Sequence, residues 1–400
     1  MFLKKFKMQD KSLSKLSAWV FLIPCFLIGL LSAIRWPSAW TATHALFDYS
    51  QGFAKRSFYG NFLSFFFDDK VSYIQITLIN FIIFFGWSII LMIIIKKIID
   101  LKLIDYRVGC LFFISPAFIF QVHTIGYLEH VAFFLFFLTL LIRNFYVHII
   151  FKFIIISVIP FIHEGLLLMI TPLIIFDTFL FLKKNNLRFK KIISLIVIIS
   201  IIGTCINAIS KKNDTEIAQY EKYINEKALD FNPRGDNIET LSNDHIKLFS
   251  IMSDYWTRLT HWSKLTLYTL ILLPLPIFLT FNLIRLNQNK NNKYYFYTLI
   301  ISCLSPILLI PIAFDIERWF AMIQFTTFAT IFIVCYRKNF KFRFDQYSHL
   351  FQILFILTCL TSIPLMDQYY LVKLPFYEHF ENIWFSIKND ESLINIPWHR

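Results

Sequence analysis

The chain has 400 residues, of which 57% are hydrophobic and only 16% are charged, and its formal net charge is +13. A water-soluble core of this size does not need so much apolar surface, so the composition excludes an ordinary soluble globular protein. Apolar runs of about 18 or more residues, enough to cross a hydrocarbon core of roughly 30 Å, recur along the whole chain, and a helix in lipid satisfies its own backbone. The composition therefore predicts an all-α, polytopic transmembrane helical bundle.

We predict about eleven spans in chain order. They cover residues 18–34, 73–95, 108–122, 131–143, 148–162, 165–182, 191–208, 265–284, 294–314, 320–336 and 347–366. The first run follows a lysine-rich start, but no small-x-small cleavage site follows it, so we interpret it as an uncleaved span rather than a signal peptide. No Gly/Ser-rich or Pro-rich linker divides the chain, so residues 1–400 are expected to form a single transmembrane domain.

The distribution of Lys and Arg predicts the orientation, because cytoplasmic loops retain positive charge. A cytoplasmic N-terminus assigns 23 Lys/Arg and 5 Asp/Glu to the cytoplasmic side, against 16 Lys/Arg and 21 Asp/Glu to the outer side. The net charge is thus a topology signal and calls for no nucleic-acid partner. The same orientation places a long loop at 210–262 and a C-terminal tail at 367–400 outside.

The first outer loop carries a basic pair within residues 48–60, Lys55 and Arg56, that runs against the positive-inside trend. Arg offers a planar fork of donors and Lys a point charge, so the pair is suited to binding a phosphate at headgroup level. The alternative is an ordinary solvated loop in which Asp48 pairs with Arg56.

Two short hairpins carry ionisable residues at their outer tips. The residues are His123, Glu129 and His130 in the first hairpin, and His163 and Glu164 in the second. Residues 148–182 make two passes in about 35 residues, so the second tip is expected below headgroup level, where a charge costs about 2.5–3.5 kcal/mol. Glu164 is therefore a candidate general base that His163 orients, and the alternative is a hydrogen-bonded hairpin cap.

A metal site built from the three histidines and Glu164 at these tips matches no known ligand spacing, so we assign no metal ligand, while a divalent cation stays compatible with the chemistry. Phosphate-binding glycine loops, a dinucleotide-binding pattern and a nucleophile elbow are absent from the sequence. The six cysteines form no zinc spacing and no disulfide framework. We expect no organic cofactor.

The long outer loop contains two amphipathic stretches, which predict helices lying on the membrane surface over a cavity that opens toward lipid. The polar candidates to face this cavity are Arg234, Asp254, Arg258 and His261. For each of them a solvated helix face is the alternative.

A tight polar connection, residues 315–319, joins spans nine and ten. Asp315, a further catalytic candidate with Asp48, lies three residues before Arg318, so the two are expected to share a helix face and pair. Arg318 still has donors to offer, and with Trp319 beside it could bind a phosphate or a sugar face.

With these features the chain resembles the polytopic enzymes of bacterial envelope polysaccharide assembly, above all the O-antigen and capsule repeat-unit polymerases. The resemblance rests on the Phe/Ile-rich spans, the residues 51–56 of the first loop, the His163-Glu164 tip, residues 315–319 and the loop 210–262. It implies a multi-pass protein of the bacterial inner membrane whose partners are membrane lipid, a polyprenyl-pyrophosphate-linked glycan and other glycan-assembly proteins. It further implies glycosyl transfer at the outer leaflet. Because the basic and acidic tips share one membrane face, we expect Lys55, Arg56 and Arg318 to bind the pyrophosphate and Glu164 to act as the base.

Two other functions stay open. A multispanning glycosyltransferase that uses a polyprenyl-phosphate sugar would place a catalytic Asp in the first outer loop, where Asp48 and the pair Asp68-Asp69 occur. A glycan-lipid flippase would need charged residues in the middle of several spans. The main such residue is Asp177, and we expect it to reach Lys183 by snorkelling.

Overall fold

The computed structural model describes residues 18–67, 69–184, 189–209, 212–242, 256–286, 293–311, 316–343 and 348–361. The α-helices in these ranges are α1 (Trp19–Leu31), α2 (Ala39–Leu46), α3 (Phe58–Leu63), α4 (Tyr73–Asp100), α5 (Tyr106–Ile114), α6 (Pro116–His123), α7 (Leu128–Leu141), α8 (Phe145–Ile162), α9 (Leu166–Met169), α10 (Thr171–Lys184), α11 (Phe189–Ile209), α12 (Asp214–Lys227), α13 (Gly235–Glu239), α14 (Leu259–Leu272), α15 (Pro274–Leu286), α16 (Lys293–Leu304), α17 (Ile316–Lys338) and α18 (Ser348–Thr361). A 3₁₀ turn, Ser305–Leu309, follows α16. β-Pairing in the described residues is limited to two isolated bridges, Val71 with Ala228 and Ile104 with Phe342.

A helix or a pair of successive helices covers most of each predicted apolar run. Residues 312–315, 347 and 362–366 of these runs lie outside the described ranges. Three of these helices, α4, α8 and α17, are long and apolar enough to cross a membrane, and a bent pair over residues 261–286 makes a fourth if it is one span. The protein is thus helical, with several helices that fit a bilayer. Over the residues whose side chains the structure describes, the other apolar helices are 10–17 residues long.

Proline explains why some runs that we predicted as continuous are divided. Pro116 is the first residue of α6, which follows α5, and Pro306 is the second residue of the 3₁₀ turn after α16. Pro274 follows α14 and coincides with a bend of 42° before α15. Proline has no N–H to donate to the preceding turn, and its ring displaces the backbone there. Each of these prolines therefore interrupts the series of helical hydrogen bonds.

Helix α17 is the centre of the bundle, since 94% of its apolar window is buried and α6, α10, α14, α15 and α16 pack around it. A helix that is apolar on all sides belongs in the interior. Its threonines are accommodated because their hydroxyls donate to backbone carbonyls, as Thr326 and Thr327 do to Cys303 at 2.6 and 3.3 Å. This position brings both ends of α17 against neighbouring helices.

The segment from α2 to α3 folds as a compact cap that needs two of its glycines. At Gly60 a Cβ atom would lie 2.1 Å from the carbonyl oxygen of Phe47, so only glycine allows α3 to approach the end of α2. Gly52 has φ +84°, a backbone conformation that favours glycine. The two glycines of the first loop therefore serve its folding.

Helix α12 packs on this cap, which corrects our expectation that its apolar face lies on the membrane. Tyr220 and Ile224 are fully buried by protein. The Tyr220 hydroxyl accepts from the Asp48 N–H at 3.1 Å and donates to the Asp48 carbonyl at 3.0 Å. Of the second predicted amphipathic stretch, residues 243–255 lie outside the described ranges.

A buried ionic cluster joins α8, α10 and α17 at one end of the bundle. We call His148, Lys152, Asp177 and Arg337 the Asp177 cluster. The Asp177 carboxylate accepts from Lys152, and from Arg337 at 2.7 and 3.2 Å, with His148 Nε2 at 3.5 Å. The expected snorkelling of Asp177 to Lys183 is therefore wrong, because two cations on neighbouring helices neutralise it inside the bundle.

Candidate functional site

Arg56 and Glu164 form a two-pronged ion pair, which we call the outer-loop pair. Arg56 Nε donates to Oε2 of Glu164 at 3.0 Å, and a terminal guanidinium nitrogen donates to Oε1. Arg56 lies just before α3 and Glu164 lies in the turn between α8 and α9. Their side chains are 16% and 24% exposed, so the pair is partly accessible.

The turn that presents Glu164 is fixed by its neighbours. His163 is the C-cap of α8, and its Nδ1 accepts the N–H of Gly165 at 3.0 Å. On the other partner, Arg56 has φ +60°, a conformation that few non-glycine residues adopt. The backbone thus holds both side chains at one place, which is how a functional site is commonly positioned.

Electrostatics keeps the outer-loop pair charged. Burial raises the pKa of Glu164, but the charge of Arg56, together with His163 and the hydrogen bond from Arg56, holds that pKa well below its usual range. Burial and the charge of Arg56 lower the pKa of His163 to about 4. His163 is therefore neutral near pH 7, and because its Nδ1 accepts a hydrogen bond, its proton lies on Nε2.

His44, on α2, belongs to the same electrostatic neighbourhood. Its pKa is lowered to about 3, chiefly by burial and then by the charge of Arg56, with smaller effects of His163 and Glu164. Its ring packs against that of Trp40 at a tilt of 42°, with centroids 4.0 Å apart, and its Nδ1 lies 3.0 Å from the Asn237 amide nitrogen. A neutral histidine therefore lies behind the outer-loop pair.

Arg318, at the start of α17, forms a second ion pair, with Glu129 of α7. Both side chains are buried, at 7% and 2% exposure. The guanidinium carbon lies 5.1 Å from the ring centre of Tyr127 and 4.9 Å from that of Trp319, so Arg318 is also stabilised by aromatic faces. We call Arg318 and Glu129 the aromatic-lined pair.

Aromatic contacts connect the two ion pairs. The ring of Tyr127, which contacts Arg318, lies 5.1 Å from that of Trp40, and Trp40 in turn packs against His44. The structure thus brings the first outer loop, both hairpin tips and the start of α17 to the same end of the bundle. The sequence grouped these residues only by their predicted side of the membrane.

Asp48 does not pair with Arg56, and the solvated loop that we gave as the alternative is wrong in this respect. Its Oδ1 accepts from the Ser50 N–H at 3.0 Å and the Ser50 hydroxyl at 2.6 Å, and its Oδ2 from the Tyr223 hydroxyl at 2.7 Å and from Lys227. Burial raises the pKa of Asp48, yet the hydrogen bond from Lys227 and those from Ser50 and Tyr223 outweigh it and lower that pKa.

The remaining predicted residues take other places. Lys55 and His123 are buried, with the His123 carbonyl accepting from Arg35 Nε at 2.8 Å. His130 lies in the aromatic core, where Trp87 donates to its Nδ1 at 3.1 Å and its Nε2 lies 2.9 Å from the Thr124 carbonyl. Because each ring nitrogen of His130 has a hydrogen-bond partner in the core, His130 has a structural role.

In the long outer loop, Arg234 is exposed and pairs with Asp236 at 2.5 Å, and Arg258 is exposed too. His261 is buried against Trp256, with ring centroids 4.4 Å apart. Asp68, Asp254 and Asp315 lie outside the described residues, so the expected pairing of Asp315 with Arg318 does too. In the described ranges, no group of three His, Cys, Asp or Glu side chains could hold a metal ion.

Sequence reasoning missed the residues that complete the site, namely His44, Tyr127, Tyr223 and Lys227. His44 and Tyr127 stand in apolar or aromatic surroundings in the sequence, which predict only packing. The signal for Lys227 and Tyr223 was present, because they are four residues apart and so share a face of the amphipathic helix α12. We had assigned only the apolar face of that helix.

No protein-family model, no curated protein and no solved structure matches this chain. The function therefore has to be inferred from the described residues themselves.

Proposed function

We propose that the protein is a multi-pass enzyme of the bacterial inner membrane that polymerises polyprenyl-pyrophosphate-linked oligosaccharide repeat units of O-antigen or capsule at the outer face. The observation that carries this proposal is the outer-loop pair, in which a basic and an acidic group meet, partly exposed, at one end of a helical bundle. The basic group can bind the phosphate of a lipid donor, and the acidic group can take the proton of an acceptor sugar hydroxyl.

The proposal includes about eleven passes with a cytoplasmic N-terminus. Supporting it, residues predicted on the same side contact each other in space: Arg56 meets Glu164 and Arg318 meets Glu129 at the outer end. At the inner end, Lys97 lies 4.9 Å from the Tyr336 ring and Arg337 pairs with Asp177.

The mechanism begins with the donor lipid. Its pyrophosphate competes with Glu164 for Arg56, since both are anions that match the planar guanidinium fork. Once Arg56 binds phosphate, both oxygens of Glu164 are released, and burial then raises the pKa of this carboxyl. The donor itself thus converts Glu164 from an ion-pair partner into a base.

In the transfer step the acceptor hydroxyl oxygen bonds to the anomeric carbon, the bond from that carbon to the pyrophosphate oxygen breaks, and Glu164 takes the hydroxyl proton. Arg56 stabilises the negative charge of the departing polyprenyl pyrophosphate. His163 positions Glu164. Arg318 is a further phosphate or sugar ligand in this scheme, and needs Glu129 to give way in the same manner as Glu164.

Glycan analysis of a strain lacking the gene tests the proposal. We expect long surface chains to collapse to single repeat units, with restoration by the wild-type gene. Loss of one branch sugar would instead indicate a transferase, and intracellular accumulation of lipid-linked units would indicate a flippase.

A second candidate is a multispanning glycosyltransferase that takes sugar from a polyprenyl phosphate. It is favoured by one observation, that Asp48 and Asp69 of the first outer loop line the same cleft. Against a catalytic Asp48, the donors already bound to its two oxygens occupy the lone pairs that a base or nucleophile uses.

A further inference from the structure

A cleft of about 430 Å³ opens beside Asp48, and we call it the Asp48 cleft. Its buried floor is the ion pair of Asp48 with Lys227. Tyr223 and Phe67 form its apolar wall, and exposed Asp69, Lys70 and Glu226 line it as well. The volume lies within the roughly 300–1,000 Å³ usual for small-molecule sites.

The charges of the residues that line the cleft exclude phosphate binding as its main function. Three carboxylates face two ammonium groups there, so the cleft carries no excess of positive charge for an anion. The Lys227 ammonium is already committed to Asp48 and, at 3.4 Å, to the Leu46 carbonyl. An uncharged ligand rich in hydroxyl groups fits a lining in which donors and acceptors alternate over a small volume.

The wall of the cleft provides a fixed aromatic ring, that of Tyr223, on which such a ligand can pack. Burial and the hydrogen bond to Asp48 raise the pKa of Tyr223 to about 12, so its hydroxyl stays protonated and keeps donating to the Asp48 carboxylate. That bond fixes the tyrosine ring. The fixed aromatic ring provides an apolar surface for the C–H face of a sugar, and the neighbouring carboxylates accept hydrogen bonds from the sugar hydroxyls.

The cleft and the outer-loop pair lie at the two ends of one loop. Asp48 begins the segment that ends at Arg56, and Lys212 secures its middle by donating to the Gln51 carbonyl at 2.9 Å. Tyr49 stacks on Phe53 in the same segment, with centroids 5.4 Å apart. A chain bound in the cleft would therefore extend from a fixed position relative to Arg56.

We propose that the Asp48 cleft is a saccharide subsite that binds neutral sugar units of the glycan, separately from the phosphate-binding outer-loop pair. The glycan as ligand class rests on the proposed function, whereas the site itself rests on the cleft. Sugar hydroxyls would bond to Asp69 and Glu226, and a sugar ring would pack on Tyr223.

The test is saturation-transfer difference NMR on the full-length protein in nanodiscs, with oligosaccharides released by mild acid from the host's own surface polysaccharide as the probe. We expect saturation of the sugar protons by the wild type. Asp69→Asn and Tyr223→Phe should each weaken binding by about tenfold, the first by loss of an acceptor and the second by release of the ring. Asp214→Asn, an exposed aspartate at the start of α12, and Tyr294→Phe, an exposed tyrosine of α16, are the matched controls and should bind as the wild type does.

Two results would overturn the subsite: no saturation with the wild type, or unchanged binding by both cleft variants while the protein is folded. Displacement of the sugar by inorganic pyrophosphate would overturn it too, because it would make the cleft an anion site. The two proposals fail separately. Collapse of surface chains in the deletion strain without oligosaccharide binding removes only the subsite, whereas binding with normal surface chains removes only the polymerase function.

Discussion

Arg56 donates to both carboxylate oxygens of Glu164, although 108 residues separate the two in the chain. The pair links the first outer loop to the turn after α8. In the polymerase that we propose, the pyrophosphate of the donor lipid would compete with Glu164 for Arg56.

Replacing Arg56 by Lys is expected to reduce polymerisation by about tenfold or more, because lysine keeps the charge but loses the planar fork, and a hydrogen bond to a charged group contributes about 1.5–3 kcal/mol. Abundance should be unchanged. Chain-length distribution on gels and protein abundance by immunoblot measure the two effects. Arg234→Lys, an exposed arginine paired with Asp236, is the control and should be silent. Full activity of Arg56→Ala would refute a phosphate-binding role.

Glu164→Gln separates catalysis from capping. Glutamine keeps the shape of the side chain but cannot take a proton, so we expect normal abundance, retained binding of lipid-linked substrate and a loss of transfer by about 10²–10⁴-fold. Transfer is measured with purified protein and lipid-linked repeat units. If Glu164→Gln transfers normally and Glu164→Ala only lowers abundance, the turn is a structural cap.

The outer-loop pair also predicts how stability depends on pH. Arg56 holds the pKa of Glu164 well below the ordinary value of 4.5, so the pair contributes its full stability above about pH 4.5 and loses it as pH falls through the lower, folded value. Thermal unfolding in detergent should therefore give a melting temperature that declines below pH 6.5 and falls further below pH 4.5. The first decline arises because His44 and His163, which are neutral in the folded protein, take up protons in the unfolded chain. In Glu164→Gln the further fall below pH 4.5 should be missing. An equal further fall in both proteins would show that other carboxylates cause it.

The Asp177 cluster is expected to be sensitive to the loss of its carboxylate. Asp177→Asn leaves the buried Lys152 and Arg337 without their counter-charge, which costs about 3–5 kcal/mol. Adding Lys152→Met should recover part of this loss, since it removes one uncompensated cation. Asp100→Asn, which breaks an exposed pair with Lys96, is the control and should cost about 0–1 kcal/mol. Chemical unfolding followed by tryptophan fluorescence compares the four proteins, and an Asp177→Asn protein as stable as the control would contradict the cluster's role.

Topology can be tested with reporter fusions at Asn186, Asn213 and Asp390. We expect Asn213 and Asp390 to report outside and Asn186 inside, because basic residues flank the latter on both sides. If Asn186 reported outside, the outer-loop pair would face the cytoplasm and the proposed polymerase would be untenable.

The sequence by itself determined the helical class and the position of most helices, because apolar run length is a local property that a bilayer-sized helix imposes on consecutive residues. It also identified Arg56, Glu164, Arg318 and Glu129 as polar residues that an apolar chain has to account for. The sequence did not determine which residues these polar side chains contact. That Arg56 meets Glu164 rather than Asp48, that Asp48 meets Lys227, and that Asp177 meets Lys152 and Arg337 rather than Lys183 depends on which helix ends pack together. Such contacts join residues up to 179 positions apart. They are decided by how whole helices and loops pack together, since a local pattern gives a side chain its face on a helix but not the helix that lies opposite.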